Sequence, residues 1–373
     1  MRRLLMGVLA VAAGGIVGLA LTEGMVRLLW PEWSDQWKMW RLDPVYARGL
    51  RPSVRDAVVH GHSGEFAFRF DTNALGLRMD RELAAAKPSG TERILLVGDS
   101  FTFGYGVEQD ETFARELQRR FDASGPPTEV INAGFASGFT LDTQYLFTRE
   151  VAASWEPDAV VVGVCLDNDF EDLTRTLWRI EDGRLAAIEK DNDWVPLLAK
   201  KSGLVNLAVK GAVPALRALN EPEDPTRTPS CELPAPVAAN VPARSGPPAD
   251  PSEVLPVPGP GPDAPAERVD WLLRAFARDA SSRDYTLTLL LIPSAMEMQR
   301  ETTPTALATI ARRRSLFAKA AQRSGLRVLD PVAPMRRHTC ENREALYFER
   351  DGHWNAAGHR FIGEWLAAQR LVP

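Results

Sequence analysis

Cysteine is scarce, with three residues in a chain of 373. Cys165, Cys231 and Cys340 form no CxxC pair, and that spacing does not make a structural zinc site. Histidine is scarce too, with five residues that fail to cluster. His60 and His62 make one HxH pair, which reads as a polar loop or strand edge rather than a metal site. A basic surplus is also missing. Lys and Arg number 44 against 49 Asp and Glu, a net charge of −5, which argues against a nucleic-acid binder. Hydrophobic residues at 45% are ample for a core, and charged residues at 25% are ordinary for a soluble body. At roughly 100–200 residues per domain, the length fits two or three domains or one domain with appendages.

Against those absences stands one long apolar run. Arg2 and Arg3 precede Leu4–Leu21, 18 residues without a charged or strongly polar side chain. About that length is needed to cross the hydrocarbon core as a helix. Trp30 suits the membrane interface, and two arginines on the short side favour a cytoplasmic N-terminus. A cleaved signal peptide has an apolar core of about 7–15 residues ending at a small-residue site. This core is longer, and no A-x-A site closes it. Residues 1–30 are therefore expected to be a single-pass inner-membrane anchor, with the rest of the chain periplasmic or otherwise extracytoplasmic.

Residues 31–90 read as a small appendage preceding the core. Within them Glu65–Phe70 alternates polar and apolar, which predicts a half-exposed strand, and Asn73–Gly76 predicts a turn. From Arg93 the pattern changes. Apolar strands at Ile94–Val97, Val130–Ile131, Ala159–Val164, Thr286–Ile292 and Leu326–Leu329 alternate with helices. The predicted helices span Glu111–Phe121, Leu141–Ser154, Thr305–Gly325 and Ala356–Gln369. Strands without in–out alternation belong to a parallel sheet covered on both faces. Residues 221–266 interrupt this with half of the 28 prolines. Such a stretch makes neither helix nor inner strand and is expected to be a disordered insertion within one domain, 91–373.

Four short segments carry candidate chemistry, and three directly follow strands, where active residues gather in such a sheet. Gly98-Asp99-Ser100 places a serine at a strand end near a helix start, where backbone N–H groups can stabilise negative charge. Asn132-Ala133-Gly134-Phe135-Ala136-Ser137-Gly138 offers glycines that let backbone approach a substrate oxygen. Asp167-Asn168-Asp169 offers an amide donor. Asp351-Gly352-His353-Trp354-Asn355 puts a carboxylate two residues before a histidine, where it can hold the imidazole in one tautomer.

As a set, GDSFTFGYGV, INAGFASG and DGHWN resemble the blocks of the SGNH/GDSL hydrolase superfamily, over about residues 91–373 without the proline-rich stretch. The apolar N-terminal helix resembles that of membrane-anchored members. The resemblance implies a flavodoxin-like three-layer α/β/α sandwich with a parallel sheet. It implies Ser100 as nucleophile, His353 as base and Asp351 as its orienting acid. The Ser100 N–H, the Gly138 N–H and the Asn168 side chain would form the oxyanion hole, with Gly134 a second candidate for the glycine donor. Two positions depart from the common pattern. Asp-x-His replaces Asp-x-x-His, a spacing resembling the alginate-acetylation branch, and Asp167 stands where glycine commonly precedes the asparagine.

The implied activity is a serine esterase or deacetylase acting through an acyl-enzyme. Its expected partners are an acylated carbohydrate or envelope polymer and the membrane, with no cofactor, no metal and no nucleic acid. An O-acyltransferase with the same triad and a catalytically silent binding protein of envelope polysaccharide assembly are the alternatives. Trp178, Trp194 and Trp354 are candidates to stack on a sugar ring, with packing as the simpler role. Cys165 reads as a buried apolar side chain. In an oxidising compartment Cys231 and Cys340 are expected to pair.

Overall fold

The computed structural model describes residues 2–30, 33, 39–43, 46–61, 63–84, 86–123, 125–135, 139–167, 169–173, 178–181, 184–187, 202–212, 216, 264–298 and 303–372. Strands β1 (Trp40–Asp43) and β2 (Ala47–Leu50) form one antiparallel hairpin, and β3 (Ala57–His60) and β4 (Ala67–Phe70) form another. The strand predicted over 65–70 is realised as β4, with Phe68 and Phe70 buried and Ala67 and Arg69 exposed. The turn expected at Asn73–Gly76 closes with Gly76 N–H donating to Asn73 O at 3.0 Å.

The sheet strands follow as β5 (Glu92–Gly98), β6 (Thr128–Gly134) and β7 (Ala159–Cys165). After a separate hairpin of β8 (Trp178–Glu181) and β9 (Arg184–Ala187) come β10 (Thr286–Ile292) and β11 (Arg327–Leu329). The five sheet strands pair in parallel in the order β11-β10-β7-β5-β6. Numbered by their own succession this is 2-1-3-4-5 read from the β6 edge, the flavodoxin-like order. The strand order reverses beside β5, which opens the crevice where such folds place their ligands.

The helices are α1 (Arg2–Leu29), α2 (Ser100–Phe103), α3 (Phe113–Ala123), α4 (Leu141–Glu150), α5 (Asp169–Asp172) and α6 (Gly203–Asn206). They continue with α7 (Ala264–Arg283), α8 (Ala295–Met298), α9 (Pro304–Arg323), α10 (Val332–Asn342) and α11 (Ala356–Ala367). Alternate strand residues serve opposite layers. Leu95, Val97, Ile131 and Val162 pack with residues of α4, α7 and α9. Ile94, Leu96, Val161 and Leu290 pack with residues of α3 and α11. All seven residues of β7 are buried, which explains why its sequence shows no alternation. The result is the expected α/β/α sandwich.

Several boundaries move. The helix predicted to run to Ser154 ends at Glu150 and resumes as a 3-10 turn over Ala152–Trp155. Helix α7 begins at Ala264, inside the last three residues assigned to the proline-rich stretch. Pro265 lies in its first turn, where an N–H has no intrahelical partner to lose. The remaining part of that stretch, 221–263, lies outside the described residues. Helix α10 was not predicted, because Pro331 and Pro334 break its period; Pro331 is its N-cap and Pro334 lies in its first turn.

Within α1, Met6–Leu29 has mean hydropathy 1.8 and none of its most apolar window is buried. Length and composition there fit a membrane span or a signal sequence. The Glu23 carboxylate accepts hydrogen bonds from Ser202 Oγ (2.8 Å), Gly203 N (2.9 Å) and Leu204 N (3.0 Å), so the end of α1 caps α6. Residues of the first two hairpins share one core with the sheet: Met39, Tyr46, Leu50, Phe68 and Phe70 cluster with Phe103 and Ile131. Cys165 is free and buried, and Cys340 is disulfide-bonded. Cys231, the partner expected for Cys340, lies outside the described residues.

Candidate active site

Ser100 opens α2 directly beyond the carboxyl end of β5. This helix is a single turn closed at both ends. Asp99 caps it, its carboxylate accepting Phe101 N–H at 3.0 Å. Gly104 ends it in the left-handed region (φ 88°), its N–H donating to Ser100 O at 3.0 Å. The turn lies tightly on the sheet. A Cβ on Gly134 would stand 2.0 Å from Phe103 N, and one on Gly98 would stand 2.1 Å from Thr102 Oγ1. Glycine at the ends of β5 and β6 thus lets the serine turn sit directly over the strands. As the first helical residue, Ser100 has an N–H without an intrahelical partner, free to donate to a bound oxyanion.

His353 arrives from the other end of the chain. Its Nε2 lies 2.8 Å from Ser100 Oγ, and its Nδ1 is hydrogen-bonded to Asp351 Oδ1. Gly352, between them, adopts φ 84°. That left-handed residue folds the Asp-x-His segment back so that the carboxylate meets the ring of its near neighbour. The Asp351 side chain is 8% exposed and that of His353 22%. The Phe101 ring (4.8 Å between centroids) and the Tyr105 ring (4.9 Å) flank the imidazole. Just downstream, Asn355 caps α11 by accepting Gly358 N–H at 3.0 Å, and its own amide donates to Ala345 O (2.8 Å) and Tyr347 O (3.2 Å). The order of hydroxyl, imidazole and carboxylate along this line is able to withdraw the serine proton and support the resulting imidazolium.

Side chains other than Ser100, Asp351 and His353 hold this geometry. Fully buried Arg78 donates to three carbonyls of the chain just after the serine: Phe103 O (3.0 Å), Gly104 O (2.5 Å) and Val107 O (2.6 Å). Its guanidinium lies over the Phe68, Phe70 and Phe103 rings. Burial brings its pKa down to about 9 against the opposing pull of Glu108 and Glu111. Arg313 donates to Leu166 O (2.9 Å) and Asp167 O (2.6 Å), bracing the loop after β7, and Asp169 accepts Cys165 N–H at 2.8 Å. His359, 1% exposed, accepts Phe113 N–H at Nδ1 (3.3 Å). Burial, then the charges of Arg78 and His353, push it down to about 3. Burial, then nearby Asp99, Asp169 and Asp167, raise the Cys165 thiol well above the ordinary range, leaving it a poor nucleophile. No local pattern announces Arg78 or Arg313; an arginine amid apolar residues, as in Leu77-Arg78-Met79, is the nearest signal.

The predicted residues divide as follows. Ser100, His353 and Asp351 come together. Gly138 and Asn168 lie outside the described residues. Gly134 does not fit its role as a second glycine donor, because its N–H is already committed to Asn132 Oδ1 at 3.0 Å. Trp354 is fully buried and packs edge-on to Phe101 at 5.0 Å, so it is core rather than a sugar platform. Trp194 and His62 lie outside the described residues, while the His60 ring stacks on Trp33 at 3.8 Å. Among the described residues no group of three or more His, Cys, Asp or Glu is arranged to hold a metal.

No curated protein matches the chain. Among solved structures it is similar to an acetyl xylan esterase, at 13% identity over 74% of this chain and 98% of that one, with a TM-score of 0.41. It is also similar to the lipase/acylhydrolase from Enterococcus faecalis, at 12% identity over 75% and 95%, TM-score 0.40. A third is an acetyl-xylooligosaccharide esterase variant from Geobacillus Stearmophilus, at 12% identity over 75% and 93%, TM-score 0.40. The GDSL-like Lipase/Acylhydrolase family matches residues 96–361, a span that runs from the end of β5 through the serine turn, the Asp-x-His loop and into α11. With more than half of its length matched, the chain belongs to that family and is a hydrolase of ester bonds.

Proposed function

We propose that the chain is an SGNH-type serine esterase that removes acyl groups from a carbohydrate or cell-envelope polymer through an acyl-enzyme. The observation that carries this reading is the 2.8 Å approach of Ser100 Oγ to His353 Nε2, with Asp351 on the opposite ring nitrogen. Ser100 Oγ attacks the ester carbonyl as His353 takes its proton. Negative charge on the former carbonyl oxygen is met by the Ser100 N–H and, following the family resemblance, by Gly138 N–H and the Asn168 amide. Loss of one such donor costs about 2.7–4 kcal/mol of transition-state stabilisation. The C–O bond to the alcohol breaks, and His353 returns the proton to the leaving oxygen. Water, deprotonated by His353, then attacks the acyl carbonyl; the Ser100 ester bond breaks, His353 gives the proton back to Ser100 Oγ, and the acid product is released. Asp351, by holding the proton on Nδ1, makes Nε2 the nitrogen that accepts and returns the proton.

The apolar α1 supports placing the enzyme as a single-pass inner-membrane protein. The hydrolase domain, taken as residues 91–373 after an appendage over 31–90, then faces the periplasm, where envelope polymers are within reach. The test is hydrolysis of 4-nitrophenyl acetate by the full chain beside Ser100→Ala, with fluorophosphonate labelling of both. Loss of at least about 10⁴-fold in kcat together with loss of labelling is expected. Equal rates and equal labelling in the two proteins would remove Ser100 from the mechanism.

A further inference from the structure

The family match begins at residue 96, so the β3–β4 hairpin lies wholly outside it. Its tip nevertheless reaches the loop that carries Asp351 and His353. The Glu65 carboxylate accepts the N–H of Arg350, the residue immediately before Asp351, at 2.9 Å. The adjacent Phe66 ring lies 4.4 Å from Phe348 and meets Tyr105 edge-on at 5.4 Å. Tyr105 in turn stands 4.9 Å from His353. Phe348 N–H donates to His353 O at 2.9 Å, closing the segment 348–353 into a loop. The hairpin therefore grips this loop twice, by a ring at Phe348 and by a carboxylate at Arg350.

The loop needs such a grip. At its middle, Gly352 is in the left-handed region, and a Cβ there would find only Ala295 Cβ within contact, at 3.7 Å. A side chain at this position would meet no close neighbour, in contrast to the glycines beneath the serine turn. The hairpin itself is well placed to act as a fixed support. Gly61 N–H donates to Phe66 O at 3.0 Å across its tip, and Phe68 and Phe70 anchor it in the core. Arg69 N–H donates to the Glu108 carboxylate at 3.0 Å, tying the same strand to the chain that follows the serine.

We infer that Glu65, at the tip of the β3–β4 hairpin, is a positioning residue for the Asp351–His353 loop, with Phe66 as its apolar companion. The inference rests on the reading of Ser100, His353 and Asp351 as the catalytic set. A charged acceptor on Arg350 N–H fixes the backbone one residue ahead of Asp351, and misplacement of a catalytic group by about 1 Å can cost on the order of 10²-fold. The hairpin is then part of the catalytic unit, although it precedes the family region.

The experiment uses the full chain in detergent, with 4-nitrophenyl acetate as substrate, a fluorophosphonate labelling rate and a melting temperature for each variant. Glu65→Ala is expected to lower kcat and the labelling rate about tenfold with KM within about twofold and an unchanged melting temperature. Glu65→Gln, which keeps an acceptor oxygen, is expected to recover most of that loss. Wild-type kcat in Glu65→Ala would overturn the inference, as would equal losses in Ala and Gln accompanied by a lowered melting temperature. Ser100→Ala in the same series separates the two levels. An active Ser100→Ala would sink the catalytic reading itself, whereas an inactive Ser100→Ala beside a fully active Glu65→Ala would sink only the positioning role.

Discussion

Ser100 stands on a turn pressed closely onto the sheet, with an aspartate cap, a glycine stop and two glycine strand ends beneath it, and with Arg78 holding the carbonyls that follow. Asp351 and His353 stand on a loop supported from outside, by the hairpin tip at Arg350 and Phe348 and by the Asn355 cap below. The first half of the site is built by close packing, where a single added carbon collides with backbone. The second is built by a few directed contacts across long sequence separations, with room for a Cβ at Gly352. The difference teaches that one site can be dense on one side and adjustable on the other, and that the two sides should respond differently to substitution.

The sharpest separation between the halves comes from chemistry. Asp351→Asn keeps the size of the side chain but not its charge, and leaves the serine turn untouched. Its kcat on an acetyl ester should fall by about 10⁴-fold with the melting temperature preserved; a fall of less than tenfold would show that the carboxylate does not orient His353. A pair of glycine substitutions tests the packing contrast directly. Gly134→Ala forces a Cβ to within 2.0 Å of Phe103 N and should destabilise the fold by about 3 kcal/mol. Gly352→Ala meets only backbone strain at φ 84°, about 1–2 kcal/mol. Urea midpoints for the two variants would erase the contrast if their order were reversed.

A last contrast concerns acid. His359 packs between Phe113 and Trp354, with its folded pKa lowered from 6.5 to about 3. Unfolded, it binds a proton near pH 6.5; folded, it does not until about pH 3. Its contribution to stability is therefore complete above pH 6.5 and is lost progressively as pH falls through that window, by about 1.4 kcal/mol per pH unit. His359→Asn retains an acceptor for Phe113 N–H without titrating. Its melting temperature should fall less steeply than that of the parent between pH 6 and pH 4; parallel slopes would mean that His359 is not the group responsible.

Much of the fold was readable because the sheet strands are short apolar runs that need both faces covered. Thr286–Ile292 was placed to the residue, and the others to within a few. Ser100, Asp351 and His353 were readable because each lies in a compact block next to a strand or helix boundary. Helix α10 was hidden by its own first-turn prolines. Gly134 was readable as important and misread in kind, since its value is the missing Cβ over Phe103 rather than a free N–H. Arg78, Arg313 and Glu65 were invisible because their partners are backbone atoms far along the chain, and a backbone carbonyl leaves no mark on the sequence.

By itself the sequence determined the alternation of buried strands and helices, the apolar N-terminal segment, and the serine, histidine and aspartate of the site. These follow from hydrophobic burial and from local turn chemistry, both of which are written in neighbouring residues. Only the tertiary structure decided which backbone atoms the buried arginines would hold. It also decided that a hairpin ahead of the family region would reach the Asp351–His353 loop, and that Trp354 would be core. Those outcomes depend on which surfaces meet when the sheet, the two N-terminal hairpins and the C-terminal loop pack together, and such meetings are set by three-dimensional shape rather than by any local pattern.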